Sequence, residues 1–201
     1  MHASEHSPHD FDAAYLGTPP WDTGRPQTAF RELADAGELR GRVLDVGCGT
    51  GEHALMAAAL GLEAMGVDAS PRAIRLAKTK ADERGLPVRF VVWDALQLAA
   101  LGERFDTVLD SGLYHVFDDT VRVRYVESLA FALPPGSRYF MLCFSERQPG
   151  EWGPRRVTED DIRASFGDGW RIESIVRTTV DWTIDPLGAQ GWLAAIARDA
   201  E

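Results

Sequence analysis

Residues 43–51 read Val-Leu-Asp-Val-Gly-Cys-Gly-Thr-Gly and constrain the fold of this chain more than any other stretch. An apolar segment runs into glycines at positions 47, 49 and 51, where the backbone can turn sharply and approach a ligand that a Cβ would exclude. A helix after these glycines offers unpaired N–H groups in its first turn. The pattern predicts a nucleotide-like ligand at the carboxyl end of a first strand.

The spacing around the glycines discriminates between nucleotide ligands. The dinucleotide fingerprint needs a glycine at the sixth position from Gly47, and Glu52 stands there. No lysine occurs between residues 41 and 60, so the phosphate loop of nucleoside triphosphatases does not fit. Asp45 would repel a pyrophosphate but suits a cationic ligand, such as an α-ammonium group next to a sulfonium.

The rest of the chain alternates strands and helices. We predict strands over 42–46, 62–67, 88–92, 105–110 and 138–144, helices over 28–39, 51–60, 71–84 and 119–132, a short helix near 158, and an antiparallel pair of strands over 170–182 and 190–198. This order predicts an α/β fold, doubly wound, with a mostly parallel seven-stranded sheet and an antiparallel edge strand. Residues 1–10 are expected to be a disordered tail, 11–40 an arm and helix that form a cofactor lid, and 41–201 the main domain.

Asp-x-Gly-x-Gly-x-Gly resembles the first motif of the class I S-adenosylmethionine-dependent methyltransferases, which have a Rossmann-like fold. Acids that follow later predicted strands extend the resemblance in the same order. It implies S-adenosylmethionine as the cofactor and S-adenosylhomocysteine as the product. By the resemblance, Asp68 binds the ribose, Asp94 and Ala95 lie against the adenine, and Asp110 contacts the methionine end. The other expected cofactor contacts are Asp45, Gly47, Cys48, Gly49, Gly51 and Ala69.

Residues 15–27 contain three prolines and two glycines, which excludes an ordinary helix. The segment is either a surface loop pinned by Trp21 or a strap across the cofactor cleft that excludes water. A Trp-Asp-x-Gly arm before the first motif resembles the thiopurine, thiol and halide methyltransferase group. That resemblance implies that Trp21, Asp22 and Gly24 are lid or donor contacts, with Arg25 and Gln27 as further candidates.

Two segments are candidates for the methyl acceptor. After the fourth strand, His115 is either a general base or a histidine bonded to backbone, and Tyr114 either lines the acceptor pocket or packs in the core. In the loop 148–156, Trp152 is expected to cap the pocket. Arg155 and Arg156 either bind an anionic substrate or are solvated before an acidic helix start.

The composition limits the classes of partner that this chain is expected to bind. The chain has 201 residues and a net charge of −10, without a Lys/Arg cluster that could follow a phosphate backbone, so nucleic acid is not expected as a partner. No apolar run reaches the ~18 residues of a membrane span. Two cysteines indicate reduced thiols in the cytoplasm. No metal constellation is evident, and a monomer or homodimer is expected.

These features predict methyl transfer to a small molecule. The arm favours a thiol, thiopurine, sulfide or halide as the nucleophile, and a phenol or quinol oxygen is the alternative. A nicotinamide oxidoreductase and a non-catalytic S-adenosylmethionine-binding protein are the competing classes.

Overall fold

The computed structural model describes residues 8–199, with side chains for residues 11–199. One sheet contains seven strands, β1 (Arg42–Val46), β2 (Glu63–Asp68), β3 (Val88–Val92), β4 (Thr107–Ser111), β5 (Arg138–Phe144), β6 (Trp170–Val180) and β7 (Ala189–Arg198). Their order is β3-β2-β1-β4-β5-β7-β6. The first five strands are parallel, whereas β7 pairs antiparallel with both β5 and β6. The predicted fold class is confirmed.

The helices are α1 (Pro8–Ala14), α2 (Thr28–Asp35), α3 (Glu52–Ala59), α4 (Pro71–Arg84), α5 (Leu98–Leu101), α6 (Asp119–Ala132) and α7 (Glu159–Ser165). Local signals set the bounds of α4, because the Ser70 hydroxyl accepts a hydrogen bond from the Ala73 N–H at its start and Gly85 has φ +62 at its end. Helix α2 stops before the predicted residue 39, since Gly37 takes a left-handed conformation at φ +70.

Part of the predicted disordered tail forms a helix. Residues 8–10 are the first turn of α1, whereas residues 1–7 lie outside the described residues. Helix α1 is held by Asp12, whose Oδ1 accepts hydrogen bonds from the Ser70 hydroxyl at 2.7 Å and from the Arg72 N–H at 3.0 Å. Asp12 therefore joins α1 to the start of α4.

Side chains of the central strands alternate between two apolar layers. In β5, Tyr139 and Met141 pack on the side of α6 and α7, whereas Phe140 and Leu142 pack on the side of α2, α3 and α4. Both faces of the strand are buried, as expected for the middle of a doubly wound sheet.

The sheet brings four segments to one edge. Because β6 runs in the direction of β5, four segments follow the same ends of the strands. They are the glycine loop (residues 47–51), the residues after β4, the loop after β5, and the turn 181–188 between β6 and β7. Open α/β sheets bind ligands at this carboxyl edge. Within residues 8–199, no helix has the length and apolarity to span a membrane.

Candidate functional site

The glycine loop has a shape that side chains would prevent. Gly47, Gly49 and Gly51 have φ values of +66, +52 and +86, which L-residues rarely adopt. A Cβ on Gly49 would lie 2.7 Å from the Tyr15 hydroxyl oxygen, and one on Gly51 would lie 2.5 Å from the Phe90 ring. The loop is therefore a close-fitting backbone surface.

Asp45 places a carboxylate beneath this loop with one oxygen unpaired. Its side chain is 1% exposed, and Oδ2 accepts a hydrogen bond from the Ala54 N–H at 3.2 Å. Oδ1 is buried without a hydrogen-bond partner, 3.6 Å from Nδ1 of His53. The other ring nitrogen of His53 accepts a hydrogen bond from the Gln27 N–H at 3.2 Å. An unpaired buried carboxylate oxygen is costly, and a ligand ammonium group would satisfy it.

Asp68 shapes the same loop from the tip of β2. Its two oxygens accept hydrogen bonds from the backbone N–H groups of Gly49 and Ser70, each at 2.8 Å. Burial raises the pKa of Asp68, although these hydrogen bonds oppose the shift. Ala69 is exposed beside it. Burial also raises the pKa of the Cys48 thiol, so this cysteine is protonated near neutrality.

Asp94 follows β3 at the same edge and is exposed. It caps the short 3-10 turn 95–97, because its oxygens accept hydrogen bonds from the Leu96 N–H at 2.9 Å and the Gln97 amide at 3.0 Å. Ala95 is half-buried, and its carbonyl accepts a hydrogen bond from the Ser128 hydroxyl at 2.7 Å. These contacts hold the Ala95 backbone at the strand end.

The N-terminal arm, residues 15–27, covers the glycine loop through Tyr15, which the sequence analysis did not identify. The Tyr15 ring is buried, and its hydroxyl accepts a hydrogen bond from Nε1 of Trp21 at 3.0 Å. Burial, followed by the nearby Asp68 charge, raises the pKa of Tyr15. Trp21 itself is 46% exposed. Asp22 accepts a hydrogen bond from the Thr50 hydroxyl at 2.8 Å, a second contact between the arm and the loop.

A reciprocal set of hydrogen bonds, which we call the arm latch, joins Gln27 and Thr28 to Asp181. The Gln27 amide donates to the Asp181 carbonyl at 2.9 Å and accepts from the Asp181 N–H at 2.7 Å. The Asp181 carboxylate accepts from both the Thr28 N–H and the Thr28 hydroxyl at 2.8 Å. Gly24 and Arg25 are exposed beside the latch.

Asp110 lies in the interior. The hydroxyls of Tyr139 and Tyr125 donate to its Oδ2 at 2.6 and 2.8 Å, and the Leu113 N–H donates to Oδ1 at 2.7 Å. Burial raises the pKa of Asp110 to about 6, although the hydrogen bonds oppose the shift. This fully buried side chain organises the turn after β4, and its contact with the methionine end stays a prediction.

Tyr114 is also a core residue. Its hydroxyl forms a 2.6 Å hydrogen bond with the Ser165 hydroxyl of α7, and its ring stacks on Phe166. The guanidinium of Arg122 lies over the ring, 4.5 Å from its centroid. Of the two roles considered for Tyr114, these contacts match packing in the core.

His115 is buried between the ends of β4 and β5. Its Nδ1 accepts a hydrogen bond from the Phe144 N–H at 3.0 Å, so the neutral ring carries its proton on Nε2. Burial lowers the pKa of His115 to about 3, and the charges of Arg122 and Arg156 act in the same direction. The geometry matches the alternative of a histidine bonded to backbone.

Three aromatic rings form what we call the aromatic wall at this edge. The Trp182 ring lies 5.3 Å from the Phe144 ring and 5.7 Å from the Trp152 ring, measured between centroids. Phe144 is buried and Trp152 is 58% exposed. The wall therefore runs from the core to the surface across the loop after β5 and the turn after β6.

The two candidate arginines of the same loop are engaged within the protein. The Arg156 guanidinium donates to the carbonyls of Gln148, Gly150, Trp152 and Pro154 at 2.7–3.0 Å. Arg155 donates to Asp119 at 2.6 Å. Arg156 thereby holds the loop 148–156 in shape. Within the part of the chain that the structure describes, no group of His, Cys, Asp and Glu side chains could hold a metal ion.

The comparisons identify the family. Residues 43–136 match the model of the methyltransferase domain. The chain is 37% identical over 176 residues to 2-heptyl-1-hydroxyquinolin-4(1H)-one methyltransferase of Mycobacteroides abscessus, with 82% of this chain and 78% of the relative covered. The chain belongs to the class I S-adenosylmethionine-dependent methyltransferases and is an enzyme of that class acting on a small molecule.

Other relatives fit this assignment. Ubiquinone biosynthesis O-methyltransferase of Cereibacter sphaeroides is 35% identical over 144 residues, which cover 71% of this chain but only 53% of that enzyme. A structure from work on the conversion of a disulfide bond into a thioacetal group during echinomycin biosynthesis is 40% identical, with a TM-score of 0.88 and coverage of 96% of this chain and 93% of that one. Magnesium protoporphyrin IX methyltransferase of Synechocystis PCC 6803 with bound SAH shares the fold at a TM-score of 0.67 and 24% identity, over 85% of this chain and 80% of that one.

Proposed function

We propose that this enzyme transfers the methyl group of S-adenosylmethionine to an acidic hydroxyl oxygen on an aromatic small molecule. The acceptor named for the 37%-identical relative is a 1-hydroxyquinolinone, and that of the Cereibacter relative belongs to ubiquinone biosynthesis. Both favour a hydroxyl oxygen over sulfur or halide, on an N-hydroxy heteroaromatic in the first case and in ubiquinone biosynthesis in the second. The thiol, thiopurine or halide acceptor finds no support in these relatives, and the subgroup resemblance of the arm is not confirmed.

The observation that carries the proposal is that the site offers no histidine base. His53 and His115 are the histidines whose side chains are described, and each accepts a hydrogen bond from a backbone N–H with its unprotonated nitrogen. With its pKa lowered to about 3, His115 is a weak base. Because neither of these histidines is free to take a proton, the acceptor that fits best is one that ionises by itself, as an acidic hydroxyl does near neutral pH.

The described residues fit the donor. Asp45 and the glycine loop would hold the ammonium and carboxylate of the methionine half, and the buried unpaired oxygen of Asp45 is the observation that fits. Asp68 and Ala69 would bind the ribose, and Asp94 and Ala95 the adenine. When bound, S-adenosylmethionine supplies a methyl group on sulfur that is already activated for displacement. The protein aligns the acceptor and excludes water, which is the role of the arm.

A pH–rate series tests the proposal. We would measure kcat/KM for a set of hydroxylated aromatics whose hydroxyl pKa values span about 5 to 10. The midpoint of each pH profile should follow the pKa of the acceptor. One midpoint shared by all acceptors would instead reveal an ionising base on the enzyme and refute the proposal.

A sulfur acceptor is the second candidate, favoured by the 40%-identical structure associated with a disulfide-to-thioacetal conversion. A thiol, with a reference pKa of ~8.5, also ionises without a strong base. Labelled methyl transfer to matched thiol and hydroxyl forms of one aromatic compound distinguishes the two candidates. The cytoplasmic location and the monomeric or dimeric state stay predictions.

A further inference from the structure

The aromatic wall continues into a wider apolar surface around the carboxyl edge of the sheet. The Thr183 N–H donates to the Pro20 carbonyl at 2.9 Å, which brings the turn after β6 against the arm next to Trp21. Ile184 and Leu187 of this turn are 53% and 83% exposed. Exposed large apolar side chains gathered at one edge of a domain mark a binding site.

One polar atom in the wall lacks a partner. Nε1 of Trp182 is buried and makes no hydrogen bond, whereas the indole nitrogens of three other tryptophans are paired. Trp21 donates to the Tyr15 hydroxyl at 3.0 Å, Trp93 to the Gln97 carbonyl at 3.0 Å, and Trp192 to Glu146 at 3.0 Å. A buried donor without a partner is destabilising, and a ligand oxygen would relieve that cost.

The charges around the wall do not favour a polyanionic or cationic ligand. The guanidinium of Arg156 lies 5.4 Å from the Phe144 centroid and is directed at carbonyls of its own loop. The Asp181 carboxylate, next to Trp182 in the chain, is engaged by Thr28. The wall therefore combines aromatic faces and apolar side chains with one unpaired N–H donor, which is buried at Trp182.

From these observations we infer that the aromatic wall is the acceptor-binding surface and that Trp182 is its specificity-determining residue. The ligand class is a flat bicyclic aromatic that stacks on the exposed Trp152 ring of the wall and carries a ring oxygen, which accepts a hydrogen bond from the Trp182 indole N–H. A short alkyl substituent would extend over Ile184 and Leu187. This inference rests on the proposed aromatic acceptor and specifies the group, beyond the methylated oxygen, that the enzyme recognises.

A ligand pair and a variant pair test the inference. We would measure binding of quinolin-4(1H)-one and of quinoline, which lacks the oxygen, by calorimetry with S-adenosylhomocysteine present. Trp182→Phe keeps an aromatic ring but removes the N–H. It should weaken quinolinone binding about tenfold, the cost of one buried hydrogen bond, and change quinoline binding less than about twofold. Trp170→Phe, which alters a tryptophan beside Phe166 just after α7, is the matched control and should change neither.

A second variant keeps the inference testable if Trp182→Phe does not fold. Trp152→Ala removes an exposed ring and should weaken both ligands about equally, by about fivefold, without altering the Kd for S-adenosylhomocysteine. Equal losses for the two ligands in Trp182→Phe, or no loss, would overturn the hydrogen-bond role. If quinolinone binds as expected but no hydroxyl is methylated, the proposed function is refuted and the role of the aromatic wall in binding is retained. If hydroxyls are methylated and both wall variants behave like wild type, the role of the aromatic wall in binding is refuted and the proposed function is retained.

Discussion

Replacing His115 with asparagine tests how this histidine is used. In the folded protein its pKa is lowered to about 3, and in the unfolded chain it returns to the ordinary value of about 6.5. Between pH 3 and pH 6.5, residue 115 is protonated in the unfolded chain but neutral in the folded protein. Its contribution to the free energy of unfolding is therefore fully present above pH 6.5 and is lost as the pH falls toward 3. The linkage relation gives a loss of about 1.4 kcal/mol between pH 7.5 and pH 5.5, a tenfold change in the unfolding equilibrium.

Asparagine does not titrate, and its side-chain oxygen can accept the Phe144 N–H in place of Nδ1. His115→Asn should therefore be less stable than wild type at pH 7.5, because ring packing against Phe144 is lost. Between pH 7.5 and pH 5.5, however, the variant should lose about 1.4 kcal/mol less than wild type. Urea unfolding of both proteins at these pH values measures the difference.

Two results would refute the reasoning. If the free energies of unfolding of the two proteins fall in parallel with pH, His115 has an ordinary pKa in the folded state. If His115→Asn loses more than about a hundredfold in kcat with an acidic hydroxyl acceptor and also loses a kinetic midpoint near pH 6.5, the histidine is a general base after all. His115→Leu serves as the control that removes the hydrogen bond to Phe144 at every pH.

Three further predictions concern the donor side and the arm. Asp68→Ala should weaken S-adenosylhomocysteine binding at least tenfold, measured by calorimetry, and an unchanged Kd would rule out the ribose role. Gly49→Ala should weaken the same ligand and destabilise the fold, because the added Cβ would lie 2.7 Å from the Tyr15 hydroxyl oxygen at φ +52; equal melting temperatures would contradict this. Gln27→Leu removes two hydrogen bonds to Asp181 and should speed hydrogen exchange in residues 15–27, whereas unchanged exchange would show that the arm is held elsewhere.

Local signals in the sequence are sufficient for most of the fold. Strand β1 and helix α4 begin and end where predicted, because an apolar run that ends at glycine, a Ser-Pro start and a glycine stop act within a few positions. The glycine spacing and the charge of Asp45 also predict a ligand site, and in the structure a buried carboxylate at position 45 is followed by three glycines with positive φ. Their contact with the donor stays a prediction.

The side-chain directions at the strand ends were harder to predict. Asp110 was expected to face the donor, yet it shares the α6 side of β4 with Val108, two positions earlier. The two-residue period of a strand is a signal that could have identified this orientation. No comparable signal exists for Tyr15 or for the arm latch, because their partners lie far along the chain and only the folded topology brings them together.

Helix α2 has no side-chain cap of its own, and the carboxylate that binds its first N–H belongs to Asp181, 153 positions further on. During synthesis on the ribosome, α2 is therefore made long before the group that secures it. The arm before α2 takes its final form only after residue 181 has been released, so truncation before that residue would leave α2 unsecured.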